Sequence, residues 1–215
     1  MPEVLKRVEA VRKVSLESVR ETTRKLAASS TRFGENRQPH SDYLLVPGVS
    51  SERRPFIPIG YLTSDVIASN LVNVIPDATP FHFGILTSSM HMAWMRQVCG
   101  RLKSDYRYSA GLVYNNFPWP EKPTAKQKAA VEAKAQAVLD ARAKHTLATL
   151  ADLYDPLTMP ADLVKAHADL DRAVDACYRP QAFTSDRQRV EFRFALYERY
   201  TAPLLPAEKK GRRRG

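Results

Sequence analysis

Apolar residues recur at helical spacing over the first 28 positions of the chain. They stand among Lys, Arg and Glu residues, as expected for one buried stripe on an otherwise polar helix. The members of this stripe are Val4, Val8, Val11, Val19 and Leu26. The pattern predicts a single N-terminal helix over residues 2–28.

Between residues 29 and 80 this periodicity is lost and prolines become frequent. Proline removes a backbone donor and crowds the preceding turn, so long helices are excluded here. Short apolar runs lie between the prolines, at residues 43–46, 56–62 and 71–75, and residues 81–86 are compatible with a fourth run. These runs predict the strands of a small, irregular, mostly antiparallel sheet.

A helix and a further strand are predicted before residue 122. Ser88 or Ser89 is placed to cap a helix that extends to about Val98. Residues 112–117 then have the composition of a strand, which ends at Pro118.

From residue 123 onward the pattern is helical. Thr124 and Gln127 form a capping box for an alanine-rich helix that extends to about Lys144. A second helix is predicted over residues 160–178, with His167 on its buried face. A third follows a capping box at residues 185–188 and turns its apolar face inward, on Val190, Phe194 and Tyr197.

These elements predict an α+β fold, in which a small, mostly antiparallel sheet with packed helices is followed by an α-helical bundle. The expected segments are an N-terminal helix at 1–28, an α+β domain at 29–122, a helical domain at 123–206 and a disordered basic tail at 207–215.

Positive charge is concentrated in two places. The net charge of the chain is +10, and residues 1–54 carry 11 Lys and Arg against 7 Asp and Glu. The tail at 207–215 adds 5 basic residues against 1 acidic residue. Such a balance favours a polyanionic partner, because neutralised phosphates release counterions. A solvated surface with a loose tail is the alternative interpretation.

Several classes of protein are disfavoured by the sequence. No apolar run approaches the length of a membrane span, and the N-terminus lacks a signal peptide, so no membrane partner and a cytoplasmic location are expected. Cys99 and Cys177 do not form a CxxC pair, and the five histidines show no metal-ligand spacing, so neither a disulfide nor a metal site is predicted.

No complete catalytic site is predicted either. The glycine-rich loops that bind dinucleotides or nucleotides are absent, as are the HExxH and GxSxG motifs. Residues 115–119 approach the Asn-Pro-Pro-aromatic tetrad of amino-methyltransferases, but Phe117 replaces the first proline. Phe117 and Trp119 are instead expected to anchor the junction between the two domains.

The strongest candidate for a binding segment is residues 100–109. Arg101 and Lys103 have the chemistry to bond the guanine edge, and Asp105 can accept from cytosine N4. Phosphate contacts are expected from the polar residues that follow, which are Arg107, Tyr108 and Ser109. On an extended strand Arg101 and Lys103 would project to the same side, and Leu102 would turn to the core. A polar turn without function is the alternative.

A second candidate is the segment 50–54, which lies between two predicted strands. Ser51, Arg53 and Arg54 are placed where a loop could reach the phosphates of a nucleic acid. The alternative is a charged hairpin tip.

Several strings of the sequence, taken in order, resemble the MmeI-like family of single-chain restriction–modification enzymes. They are residues 50–60, 83–88, 90–95, 98–109, 114–120 and 150–156. Proteins of this family join an endonuclease, an adenine methyltransferase and a target recognition domain. The resemblance implies a DNA target recognition domain up to about residue 122 and a C-terminal helical domain after it. It also implies that polar positions near Arg101 and Lys103 help to select bases.

The family's endonuclease and methyltransferase motifs, including its S-adenosylmethionine (SAM) loop, have no match in this sequence. The chain is therefore expected to be a part of a longer protein, to hold no cofactor itself, and to be inactive alone. Its expected partners are double-stranded DNA and the other domains of the parent chain. Two alternatives remain open: a helical protein-interaction or spacer module, and a small enzyme with an unrecognised site.

Overall fold

The computed structural model describes residues 1–32 and 37–204, so the predicted tail at 207–215 lies outside the described residues. The chain divides into two compact units, Met1–Gln38 and the residues from Pro39 onward. The predicted α+β class is confirmed, because short antiparallel strands and helices both occur in the second unit.

The first unit contains two helices, α1 (Pro2–Leu16) and α2 (Glu21–Leu26), followed by a 3₁₀ turn. The prediction of one helix over residues 2–28 is therefore wrong. Ser18 explains the break, because its hydroxyl accepts from the Arg20 backbone N–H at 3.2 Å and its carbonyl accepts from Arg24 at 2.9 Å. Local bonds of this kind compete with the helical ladder.

The described part of the second unit contains six strands in two three-stranded antiparallel sheets. The orders are β3-β1-β4 and β2-β6-β5. The strands are β1 (Tyr43–Pro47), β2 (Val49–Ser50), β3 (Gly60–Leu62), β4 (Val72–Pro76), β5 (Gly100–Leu102) and β6 (Asp105–Arg107).

Gly48 is the point where the chain leaves the first sheet and enters the second. Its backbone N–H donates to the Leu71 carbonyl at 3.1 Å, and its carbonyl accepts from the Tyr108 N–H at 2.9 Å. A Cβ atom at this position would lie 2.7 Å from the Leu71 carbonyl oxygen. Glycine is therefore required, because it alone lets the two backbones approach this closely.

Between residues 39 and 204 the second unit contains six α-helices. They are α3 (Pro80–Leu86), α4 (Ser89–Val98), α5 (Ala125–Ala143), α6 (Leu150–Leu153), α7 (Ala161–Ala176) and α8 (Asp186–Thr201). None of the helices within the described residues has the length and apolarity needed to cross a bilayer.

Three of the predicted strands differ in the structure. Residues 81–86 belong to α3, because Thr79 and His82 form a capping box and Pro80 occupies the first turn. Ala110–Tyr114 is a π-helical turn rather than the start of a strand. Within 56–62 only β3 is a strand, since Pro55 and Pro58 supply no backbone donor.

The predicted caps of the longer helices are confirmed. Ser88 accepts from the His91 N–H, Thr124 exchanges bonds with Gln127, and Ser185 accepts from the Gln188 N–H. The box predicted at 185–188 is only half formed, because Gln188 Oε1 accepts from the Thr184 N–H rather than from that of Ser185. The predicted inward face of α8 is confirmed in part. Tyr197 packs against the core, and Phe194 contacts the Trp94 ring although it is 39% exposed. The side chains of this helix that are buried are Arg193 and Leu196.

One hydrophobic core extends across residue 122, with contributions from α3, α4 and the strands on one side and from α5 and α7 on the other. Helices α3 and α5 meet closely at Gly84, where an added Cβ would lie 2.7 Å from Val131 Cγ1. The expected junction anchor Phe117 is buried in the same core, and Trp119 packs edge-on against its ring.

A buried polar network joins the same two parts of the chain. Arg142 of α5 donates to the Ile59 carbonyl at 2.7 Å and to the Tyr154 hydroxyl at 2.8 Å. Tyr154 in turn lies 2.7 Å from Nε2 of His167, on which the Phe56 ring stacks. His167 is buried, as predicted.

Candidate nucleic-acid interface

Strands β5 and β6 form a hairpin that leaves directly from the end of α4. Its turn consists of Lys103 and Ser104, and Lys103 has the left-handed φ of 56° that such turns use. The start of α4 is fixed by Asp171, whose carboxylate accepts from both the backbone N–H and the hydroxyl of Ser89, at 2.7 and 2.6 Å. The hairpin therefore extends from a rigid support.

The second candidate segment lies beside this hairpin, because β2 pairs with β6. Ser50 is opposite Tyr106 in the register. The Glu52 backbone N–H donates to Asp105 Oδ1 at 3.4 Å, and the Glu52 carboxylate lies 3.7 Å from Arg101. The structure thus brings together two segments about fifty residues apart in the sequence, and Glu52, which sequence reasoning did not select, connects them.

The inner face of the hairpin sheet is turned toward the core. Ser50 and Tyr106 are buried on it, and the Arg101 guanidinium lies 4.3 Å from the Tyr106 ring centroid. Arg101 also donates to the Ser104 carbonyl at 2.9 Å. Its contacts are therefore made within the hairpin and with Glu52, where it braces the turn.

The outer face of the same sheet carries Val49, Leu102, Asp105 and Arg107. Residues directly opposite in an antiparallel ladder share a face, and the register pairs Leu102 with Asp105 and Val49 with Arg107. The prediction that Leu102 turns to the core is wrong, since its side chain is 53% exposed. Arg101 and Lys103 do not project together, because Lys103 lies in the turn.

Tyr108 is buried, and its hydroxyl lies 3.1 Å from Nε2 of the buried His91. Burial raises the pKa of this phenol well above its ordinary value. The expectation that Tyr108 contacts a phosphate is therefore wrong. The sequence contained the signal: Tyr106 and Tyr108 alternate with Asp105 and Arg107, which places both rings on the inner side.

Four cations lie on or beside the outer face. Arg53, Lys103 and Arg107 are exposed and Arg54 is half-buried. Within residues 1–32 and 37–204, the side chains of these four residues make no hydrogen bond and no ion pair, and the Ser51 hydroxyl bonds only the backbone N–H of Arg53. Ser51 and Ser109, both half-buried, lie at the edges of the same surface. This surface can bind an anion that extends over several residues.

Other kinds of site find little support in the described part of the chain. It contains no group of three or more His, Cys, Asp or Glu side chains that could hold a metal ion. Burial lowers the pKa of His91 and of His167 to about 3. Each has a tyrosine hydroxyl as its bonding partner, so these shifts belong to the packed interior rather than to a reactive cleft.

Two family models match most of the chain. The family model for the MmeI target recognition domain matches residues 1–121, and that for the MmeI C-terminal domain matches residues 123–205. DNA methyltransferase A of Bacillus subtilis (strain 168) is 46% identical over 179 residues, which make up 83% of this chain and 20% of the relative.

Among solved structures, the chain is similar to the Type IIL restriction–modification enzyme MmeI in complex with DNA. The TM-score is 0.85 and the identity is 47%, over 93% of this chain and 26% of the other. The chain therefore spans about a quarter or less of the length of these relatives.

Proposed function

This chain belongs to the MmeI family, and from that premise we propose that it reads the DNA target for a longer restriction–modification methyltransferase. The observation that carries the proposal is the outer face of the β5–β6 hairpin. There, the side chains of Lys103 and Arg107, which form no hydrogen bond or ion pair with the described residues, stand with Asp105 on a two-stranded ribbon next to a second basic loop. A two-stranded ribbon fits the major groove of B-DNA, where each base pair presents a distinct pattern.

Lys103 and Asp105 are the side chains best placed to contact bases. The Lys103 ammonium at the tip suits the O6 and N7 acceptors of guanine, and a free Asp105 oxygen suits the N4 amine of cytosine. The guanine acceptors and the cytosine amine belong to the same G·C pair. Lys103 and Asp105, two residues apart, can therefore bond the two bases of one pair. Arg101 acts as a support for this turn, because its guanidinium is already engaged by Tyr106, Ser104 and Glu52.

Phosphate contacts come from the residues around the ribbon. Arg53, Arg54 and Arg107 provide the cations, and the hydroxyls of Ser51 and Ser109 provide neutral donors. Contacts of this kind fix the register of a protein on DNA without selecting bases, so base selection falls to the hairpin tip.

The helices α5, α7 and α8 hold the reading hairpin in place. Their core is continuous with that of α3 and α4, and Arg96 of α4 bonds both Asp186 of α8, at 2.9 Å, and the Pro55 carbonyl, at 3.4 Å. This continuity favours a supporting role over a separate protein-interaction or spacer module.

For the longer protein, we propose methyl transfer from S-adenosylmethionine to adenine N6, with the cofactor held outside this chain. A linked endonuclease and a cytoplasmic location belong to the same proposal. With SAM and DNA, this chain alone is expected to transfer no methyl group. Methylation by the purified chain would contradict this assignment of the chemistry.

A salt titration tests the proposal. The 215-residue chain should bind duplex DNA at low salt, and its affinity should fall steeply as salt rises. Arg107→Ala should lower the slope of log K against log salt by about one. Lys126→Ala, an exposed lysine on α5, is the matched control and should leave both slope and affinity unchanged. Absence of binding at low salt, or equal effects of the two variants, would count against the interface.

A further inference from the structure

Leu102 is an apolar side chain on a charged surface. It lies in β5 of the hairpin, yet 53% of it is exposed, and the register puts it on the outer face. A leucine in a short strand normally contributes to the core, as the buried Tyr106 does on the inner face. Val49, 42% exposed at the far strand, is the other apolar side chain of this outer face.

The neighbours of Leu102 are the groups proposed to contact DNA. Asp105 stands directly opposite it, Lys103 follows it in the turn, and Arg107 lies on the same face one pleat away. Opposed Cβ atoms in such a ladder are about 5 Å apart. Any DNA that brings a base pair to Lys103 and Asp105 therefore also brings Leu102 close to that base pair or the next one.

We infer that Leu102 contacts the C5 methyl group of a thymine in the major groove and thereby selects a T·A pair. The inference rests on the proposed function. Thymine is the one standard base that presents an apolar group in that groove, and apolar side chains recognise it by contact. At a G·C pair the same leucine would cover the cytosine amine without offering it an acceptor, which disfavours binding.

The experiment compares thymine with deoxyuridine, which lacks only the methyl group. The chain is first used to select bound duplexes from a randomised pool, which gives its preferred sequence. Each thymine of that sequence is then replaced singly by deoxyuridine, and binding is measured by fluorescence anisotropy. One replacement should weaken binding about four-fold, which corresponds to one buried methyl group.

The variant Leu102→Ala should bind the thymine and deoxyuridine duplexes equally at that position. Leu157→Ala is the control, because Leu157 is 81% exposed in the helical part of the chain and should keep the four-fold difference. A preferred sequence without a sensitive thymine would overturn the inference, as would a Leu102→Ala variant that still discriminates. If no sequence is enriched, the proposed function fails as well, so the two failures are distinguishable.

Discussion

The pair Gly84 and Val131 offers a quantitative test that one core joins the two family segments. A Cβ at position 84 would lie 2.7 Å from Val131 Cγ1 and 3.3 Å from both Ala135 and Leu170 side-chain atoms. Val131 cannot turn this methyl group away easily, because β-branched residues in helices have one strongly preferred rotamer. Gly84→Ala must therefore push α3 away from α5.

The expected energies follow from these contacts. Overpacking at Gly84→Ala costs about 1–3 kcal/mol, and the better helix propensity of alanine returns roughly 1 kcal/mol of that. Val131→Ala removes two methyl groups from a fully buried site, which costs about 2 kcal/mol. In the double variant the new Cβ occupies the space that Cγ1 left. Its destabilisation should therefore be about 1–2 kcal/mol smaller than the sum of the single effects.

Urea unfolding of the 215-residue chain, followed by far-ultraviolet circular dichroism, measures all four free energies of the cycle. Gly111→Ala is the control glycine substitution, because its added Cβ would have only an ordinary 3.9 Å contact with Ser109. That variant should change stability by less than about 0.5 kcal/mol. Strictly additive effects at Gly84 and Val131 would refute the reasoning that these two helices meet at this point.

Three further predictions concern stability. Gly48→Ala places a Cβ 2.7 Å from the Leu71 carbonyl oxygen and should destabilise the chain by about 2–4 kcal/mol in urea titrations. An unchanged free energy of unfolding would contradict the close approach of the two backbones at Gly48. Tyr154→Phe removes the hydroxyl shared by Arg142 and His167, and should lower the free energy of unfolding by about 2–4 kcal/mol in the same titration. An unchanged free energy of unfolding would argue against the buried polar network. Burial lowers the pKa of His91 and His167 to about 3, below the roughly 6.5 of an unfolded histidine. The unfolded state therefore binds more protons between these values, and stability should fall as pH drops from 6.5 toward 3, by up to about 1.4 kcal/mol per pH unit for each histidine. A stability that stays constant from pH 7 to pH 4 would contradict this burial.

Local signals were the predictable part of the fold. The caps at Ser88, Thr124 and Ser185 bring their own partners within three residues, so tertiary contacts do not decide them. Residues 81–86 were not predictable from periodicity, because a short apolar run does not distinguish a buried strand from a buried helix. The helix-start signal of Thr79 and Pro80 was the feature that carried the distinction.

The candidate site was predictable in its composition and not in its geometry. The residue types at 50–54 and 100–109 indicate a nucleic-acid surface, but their contact depends on the pairing of β2 with β6, which joins distant parts of the chain. Which side each residue faces depends on register, and a shift of one residue reverses it. That is why the sequence alone indicates neither the exposure of Leu102 nor the burial of Tyr108.

The separation of the two hairpin faces has a consequence for how such a protein can change over generations. Tyr106, Arg101 and Glu52 contact one another on one face, while the side chains of Lys103 in the turn and Arg107 on the other face make no hydrogen bond or ion pair to the described protein. Replacing the latter should alter stability by less than about 0.5 kcal/mol. Under the proposed function, new target sequences would therefore be accessible through single mutations whose intermediates remain folded, and selection could act on recognition without first restoring stability.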